Sequence, residues 1–573
     1  MRTILINRLH GVWLAALLLA VAGCGNVNDQ GAVTGSQSAS TSPAIEVPST
    51  KQNAARFLTQ ATFGPTDASV QQVQALGYRG WIDQQMATPS ASHLAYVDNR
   101  IEQIRLTNPT AALDATQFYE SFWLYAATSP AQLRERMKLA LSEIFVISLA
   151  DPAVDVRGAA SYYDMLGNNA FGNYRTLLEQ VSLHPMMGNY LTHMANQKED
   201  PVTGRSPDEN YAREVMQLMS IGVEQLNPDG TVRRDANGAP IPSYTSADIT
   251  ELAKVFTGFS WYHPAPSNNT FLGRNRDPEA SVRSMIPYAN YHSTSSKTFL
   301  GTSIPAGSTD ARAELNRALD VLTNHPNTGP FLARRLIQRL VTSNPSPAYV
   351  GRVAAVFNDN GQGVRGDLAA VTRAILLDRE ASTIGTEAGS GKVREPMIRL
   401  TNWMRAFEAT SVTGRYLVGS TRANTSLGQA PLTAPSVFNF FRPGYVPPNT
   451  RLGAANLTAP EFQIVDEVSV AGYANTMLGA IGNGIGTGTD VRTTYAREVA
   501  MAHDANALAD RMNAILLYGQ MSGRLRQRII DSVNSVAIPG GTASATQISA
   551  ARLNRVRLAV YLTMISPEYL VQR

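Results

Sequence analysis

Residues 206–222 read Ser206-Pro207-Asp208-Glu209-Asn210-Tyr211-Ala212-Arg213-Glu214-Val215-Met216-Gln217-Leu218-Met219-Ser220-Ile221-Gly222. The first four supply an N-cap serine, a proline at the first helical position and a glutamate at N3, the parts of a capping box. At about 100° per residue, Tyr211, Val215, Leu218, Met219 and Gly222 fall within about 100° of one another. They form an apolar stripe, and Asn210, Arg213, Glu214 and Gln217 share the other side. The pattern predicts a capped amphipathic helix with Glu209 and Arg213, and Asn210 and Glu214, at i,i+4. As a solvated face this is worth only about a few tenths of a kcal/mol per pair.

The same periodicity extends outward on both sides. Ala54 to Thr62, Val70 to Leu76, Trp81 to Met86, Phe118 to Ala127 and Leu133 to Leu149 all space apolar residues by three or four. C-terminal to the opening stretch, Asn227-Pro228-Asp229-Gly230 and Asp235-Ala236-Asn237-Gly238 flank Thr231 to Arg234, which predicts a small hairpin. Thr245-Ser246-Ala247-Asp248 then opens a second capped helix that Gly258 closes. Helices follow at Pro330 to Val341, Ala348 to Phe357, Asp367 to Leu377, Met397 to Ala409, Ala507 to Leu517, Leu525 to Val533 and Arg552 to Ile565, and Ser566 caps a last turn. Residues 410–460 are irregular and rich in Pro, Gly and aromatics, and Gly479 to Gly488 reads as a mobile loop. The expected fold is mainly α: a large multi-helix globular domain with a small β-hairpin insertion and Pro/Gly/aromatic-rich irregular segments. Residues 51–475 form its main helical domain, and 476–573 a C-terminal helical segment packed on it.

The N-terminus has a different composition. Arg2 and Arg8 precede an almost wholly apolar run from Val12 to Ala22, and Val21-Ala22-Gly23-Cys24 ends it. That is a lipobox, and the run is about half of the roughly 20 residues that span a bilayer. Residues 1–23 are expected to be a lipoprotein signal peptide, and 24–50 a lipidated N-terminus on Cys24 followed by a flexible linker. Gly25 and Asn26 follow the cysteine rather than aspartate, which points to the outer membrane of a Gram-negative bacterium. Cys24 is the single cysteine among 573 residues. Acylated, it leaves no thiol for haem, iron-sulfur or thiolate zinc chemistry and none for a disulfide. A net charge of +4 with no dense basic tract argues against nucleic acid as a partner.

Familiar catalytic strings fail on inspection. Gly389-Ser390-Gly391-Lys392 lacks the first glycine of a phosphate-binding loop and has Val393 where a hydroxyl should hold magnesium. No Gly-x-Ser-x-Gly, Ser-x-x-Lys or His-Glu-x-x-His occurs. His184 and His193 are nine apart, on opposite sides of any straight helix, so they cannot chelate one ion together, and His184 and His325, each before a proline, are expected to be structural or solvent-facing. His292 differs, since Tyr291-His292-Ser293-Thr294-Ser295-Ser296-Lys297 puts a titratable ring and an amine close together after the two capped helices. Candidate site residues are therefore Glu209, Asn210, Arg213, Glu214, Asp248, His292 and Lys297, with one carboxyl raised as acid and one left ionised.

Several strings carry a resemblance. They are Ala55-Arg56-Phe57-Leu58-Thr59-Gln60-Ala61-Thr62-Phe63-Gly64-Pro65-Thr66, Glu209-Asn210-Tyr211-Ala212-Arg213-Glu214-Val215-Met216, Tyr244-Thr245-Ser246-Ala247-Asp248, Thr257-Gly258-Phe259, the His292 to Gly301 loop and His325-Pro326-Asn327-Thr328. In these the chain resembles the bacterial exported family called domain of unknown function 1800. The resemblance implies an exported, mostly helical protein, often encoded beside an exported phosphatase- or sulfatase-like protein that would be a partner. Many members carry Trp-His-Asn-His-Phe where this chain has Leu141-Ser142-Glu143-Ile144-Phe145, so any histidine-built metal site of the family is missing or rebuilt here. The sequence thus leads to an exported lipoprotein acting as a binding or assembly component of the cell envelope. The alternative is an envelope hydrolase acting on a cell-wall or extracellular polymer through an acidic and histidine cleft.

Overall fold

The computed structural model describes residues 47–387 and 389–573; the signal peptide, Cys24 and most of the linker lie outside them. The body starts where the composition changes, at helix Lys51–Ala61, capped by the Thr50 hydroxyl accepting from the Asn53 amide. Among the described residues 24 α-helices carry the fold, and the sheet content is four two-stranded antiparallel pairs, so the protein is mainly α. No helix among them is long and apolar enough to cross a membrane.

The N-terminal helices Lys51–Ala61, Asp67–Ala87, His93–Arg105, Ala115–Thr128, Gln132–Ser142 and Val156–Asn168 pack on one another. Gln132–Ser142 also meets Thr328–Leu340, which leads into the helical layer Pro347–Asn358 and Leu368–Leu376. A C-terminal group, Glu467–Asn483, Ala505–Leu516, Gly523–Ser535 and Ala545–Met564, packs internally and lays Ala505–Leu516 against the first helix. Short strand Lys392–Val393 pairs with Val571–Gln572. One hydrophobic core runs through all of these helices, from Ala54 to Tyr569.

The first helix is also clamped from inside. Arg56, nearly fully buried, donates from its guanidinium to the carbonyls of Ala381, Thr383 and Arg573. A single side chain therefore ties residues more than 500 positions apart.

Several boundaries depart from the sequence pattern for identifiable reasons. The Ser206 capping box does not form, because Asn196 brackets Asp208 through both its amide and its carbonyl and Asp208 accepts from the Asn210 amide. The helix accordingly begins at Asn210, with Glu209 at the N-cap and no side-chain cap. From Val215 to Ser220 it widens into a π-helix, so Met216 and Ser220 turn inward while Leu218 is only partly buried. The helix expected over Leu133 to Leu149 stops at Ser142. The glycine-rich stretch expected as a mobile loop from Gly479 is helical as far as Asn483. The hairpin near Thr231 is present as bridges Leu226 to Val232 and Arg234 to Pro240, and the sequence missed the four short strand pairs. The second capping box forms as read, with the Thr245 hydroxyl and the Asp248 carboxylate exchanging backbone amides. That helix ends at Val255 with Phe256 as its C-cap rather than at Gly258, which donates to the Asn196 carbonyl at φ +80°, where a Cβ would come within 2.8 Å of the His292 backbone nitrogen.

Candidate functional site

Each residue singled out from sequence except Glu214 has a defined partner; the Glu214 Oε2 is buried with no hydrogen-bond partner among the described residues. Glu209 accepts from Thr250 at 2.7 Å and pairs with Arg213 at 3.3 Å on an exposed face. Asn210 lies at the helix start and reaches the Thr192 hydroxyl at 3.5 Å. Asp248 caps its own helix and accepts from the Leu300 amide at 2.7 Å, docking the loop 292–300 onto it. His292 is fully buried, with Nδ1 at 2.8 Å from the Thr257 carbonyl and Nε2 at 3.1 Å from Glu314. Lys297 is equally buried and shares the same Glu314 oxygen at 2.8 Å, so Glu314, which the sequence reading missed, is the hub of this group. Glu314 sits in the first turn of Ala311–Asn324, where an acidic residue reads only as a helix-start signal.

The carboxyls of Glu214 and Asp248 are shifted in opposite directions. Burial raises Glu214, with Arg213 opposing. Burial would also raise Asp248, but the Thr245 hydroxyl and the amides of Leu300 and Thr245 hold it below its ordinary value. No hydrogen bond or ion pair among the described residues joins Glu214 to Asp248 or His292. His184 and His193 are structural: both are buried and lowered by it, to about 3 and about 4, His184 capping Met186 and His193 stacked on Tyr211 at 3.9 Å. No group of three or more His, Cys, Asp or Glu side chains able to hold a metal exists among the described residues.

A second set of charges comes together that the sequence did not connect. Glu395 is the N-cap of helix Pro396–Ala406 and is 0% exposed. It accepts from Gln429 at 2.7 Å and lies 3.7 Å from the Lys392 ammonium, which itself pairs with Glu461 at 3.1 Å and donates to the Arg339 carbonyl. Lys392 is thus committed to the interior rather than to a phosphate loop. Glu143, the first residue after the truncated helix, pairs with Arg339 at 3.3 Å and faces Glu395. Burial and then the Glu395 charge push Glu143 well above the usual carboxylate range. Glu395 is held below the usual carboxylate range: burial opposes this, while the facing Glu143 carboxyl and the cations Lys392, Arg136 and Arg339 outweigh it. The two carboxyls therefore hold one proton between them, on Glu143.

Glu143 also lines a cavity of about 10 Å³, the scale of one water, with Ser142, Met397, Leu432 and Asn439 among its walls. Leu432 and Asn439 both have left-handed backbone, and the buried Asn439 Nδ2 has no hydrogen-bond partner. These are positions of stored strain in the irregular 410–460 segment, clipped to the body where Leu149 donates to the Leu432 carbonyl and Ser148 to the Ala434 carbonyl. The departing string Leu141 to Phe145 supplies Ser142 and Glu143 to this cavity.

On another side of the same helix start lies a groove of about 180 Å³. Val393, Pro396, Leu427, Val465, Val470 and Leu570 are among its walls, and Arg399 and Tyr473 lie at its base. Phe462, Val465, Val468 and Val470 leave an unusual amount of apolar surface around it, Val470 being 55% exposed. Helix Glu467–Asn483 has its Asp466 and Ser469 capping box beside this patch, which holds Val470 and Tyr473 in place.

Fold and site together define a mainly helical protein with an apolar groove set against a buried, proton-sharing charge cluster. The family model described as protein of unknown function (DUF1800) matches residues 56–571 and so runs through both the 51–475 and the 476–573 segments. The chain belongs to that family. No curated protein and no solved structure matches it.

Proposed function

We propose that the chain is an exported lipoprotein, anchored through Cys24 in the outer membrane, whose body is a binding component of the envelope holding an acyl chain in the groove. The observation that carries the binding part is the groove itself, the apolar concavity with an exposed apolar rim. Its walls are aliphatic and aromatic, and the two hydroxyls among them are engaged: Ser469 in its capping box and with the Ile464 carbonyl, Tyr473 with the Met564 carbonyl. A peptide laid there would bury backbone polar groups without side-chain hydroxyls to receive them, whereas a hydrocarbon chain has none to satisfy. Native mass spectrometry of the membrane-extracted protein checks this. The wild type is expected to carry an acyl lipid, Val470→Asp to lose it, and Cys24→Ala to leave the membrane fraction; a wild type that retains no acyl species rejects the groove reading.

The hydrolase alternative is favoured by a different observation, the split protonation of Glu143 and Glu395 beside a water-sized cavity. One carboxyl could give a proton while the other takes one. In this reading the full chain releases soluble fragments from isolated cell-wall sacculi and Glu143→Gln does not. Absence of release by the wild type sinks it.

A further inference from the structure

Arg399 is the one polar side chain of the groove with unused donors. It is 5% exposed, donates through Nε to the Arg394 carbonyl at 2.7 Å and stacks over Tyr473 at 4.7 Å. Neither of its Nη nitrogens has a partner among the described residues, and no carboxylate pairs with it there. Its neighbour Glu395 is already committed to Gln429, Lys392 and the Glu143 proton. Burial pulls the Arg399 guanidinium below its ordinary value, so an incoming anion would offset a cost the fold already carries.

We propose that the groove is a site for a fatty-acid carboxylate, with Arg399 binding the head and Val393, Leu427, Val465, Val470 and Leu570 holding the chain. The inference rests on the acyl-binding reading of the groove and adds the chemistry of the head. A planar guanidinium offers two parallel donors, which match the two oxygens of a carboxylate. Arg399 and its neighbour Arg394, set against the negative Glu395, leave one net positive charge, which suits a head of one negative charge better than a doubly charged phosphate.

The test is titration calorimetry of the full chain at pH 7.5 with decanoate and with decanol, which share a chain length and differ in the head. Decanoate is expected to bind about tenfold or more tightly, the scale of a hydrogen-bonded charge pair. In Arg399→Gln the two ligands should converge, decanol being unchanged. Equal affinity of the wild type for both overturns the carboxylate site while leaving an acyl groove. Failure of both to bind overturns the groove reading and the inference with it. The comparison on the wild type stands even if Arg399→Gln does not fold.

Discussion

The Glu395→Gln variant loses about 3 kcal/mol of unfolding free energy, the scale of breaking a buried charge arrangement, while Glu143→Gln at pH 8 loses none. The asymmetry follows from where the shared proton resides. Glutamine is close in shape to the protonated carboxyl that Glu143 already is, so it preserves the contact with Glu395. At position 395 it removes the ionised partner of Lys392, Arg136 and Arg339 and leaves three buried cations facing only Glu461 and Glu143, which must give up its proton to restore part of the balance. Urea unfolding across pH separates the two roles. Glu143 has its folded value raised above the ordinary 4.5, so its contribution is fully present below about 4.5 and is lost as pH rises through the raised value. Glu395 is lowered, so its contribution is present above the ordinary carboxylate value and is lost as pH falls through the lowered value. The wild type should therefore lose stability on the alkaline limb by up to about 1.4 kcal/mol per pH unit, and Glu143→Gln should flatten that limb. An unchanged limb in Glu143→Gln refutes the placement of the proton.

Arg56→Ala is expected to destabilise the protein by about 3 kcal/mol or more, since three carbonyls lose their charged donor in the interior. Arg56→Lys should recover only part of this, because one ammonium on a flexible stem cannot present the fixed fork that reaches residues 381, 383 and 573 together. Urea unfolding gives the energies, and limited proteolysis gives the location. Faster cleavage near residues 383 and 570 in Arg56→Ala is the expected pattern, and wild-type resistance at both places counts against the clamp.

The helical fold was legible because its signals are local: apolar spacing at 54–62 and 330–341, the Thr245 and Asp248 box, the serine and proline at 566–567. Where reading failed, a distant group had taken over. Asn196, twelve residues upstream of Asp208, displaced the Ser206 cap, and the π-helix at Val215–Ser220 shifted the inward face in a way that a fixed turn per residue cannot anticipate. The helix expected through Leu149 breaks at Ser142, and the first residue it releases is Glu143. Glu143 and Glu395 are separated by some 250 positions and the parts of the groove from Val393 to Leu570 by some 180, so neither site leaves a contiguous string. Among the residues chosen from sequence, His292 and Lys297 do meet, through Glu314, a residue whose position on the opening turn of a helix disguised it as a dipole partner.

Helix Lys51–Ala61 buries Phe57 and Leu58 and is covered partly by Ala505–Leu516. Synthesis adds about 5–20 residues per second, so roughly half a minute or more separates the appearance of this helix from that of its cover. During that interval its apolar face and the Arg56 fork are without their final partners. The packing of the first element is thus completed only when the far end of the chain arrives.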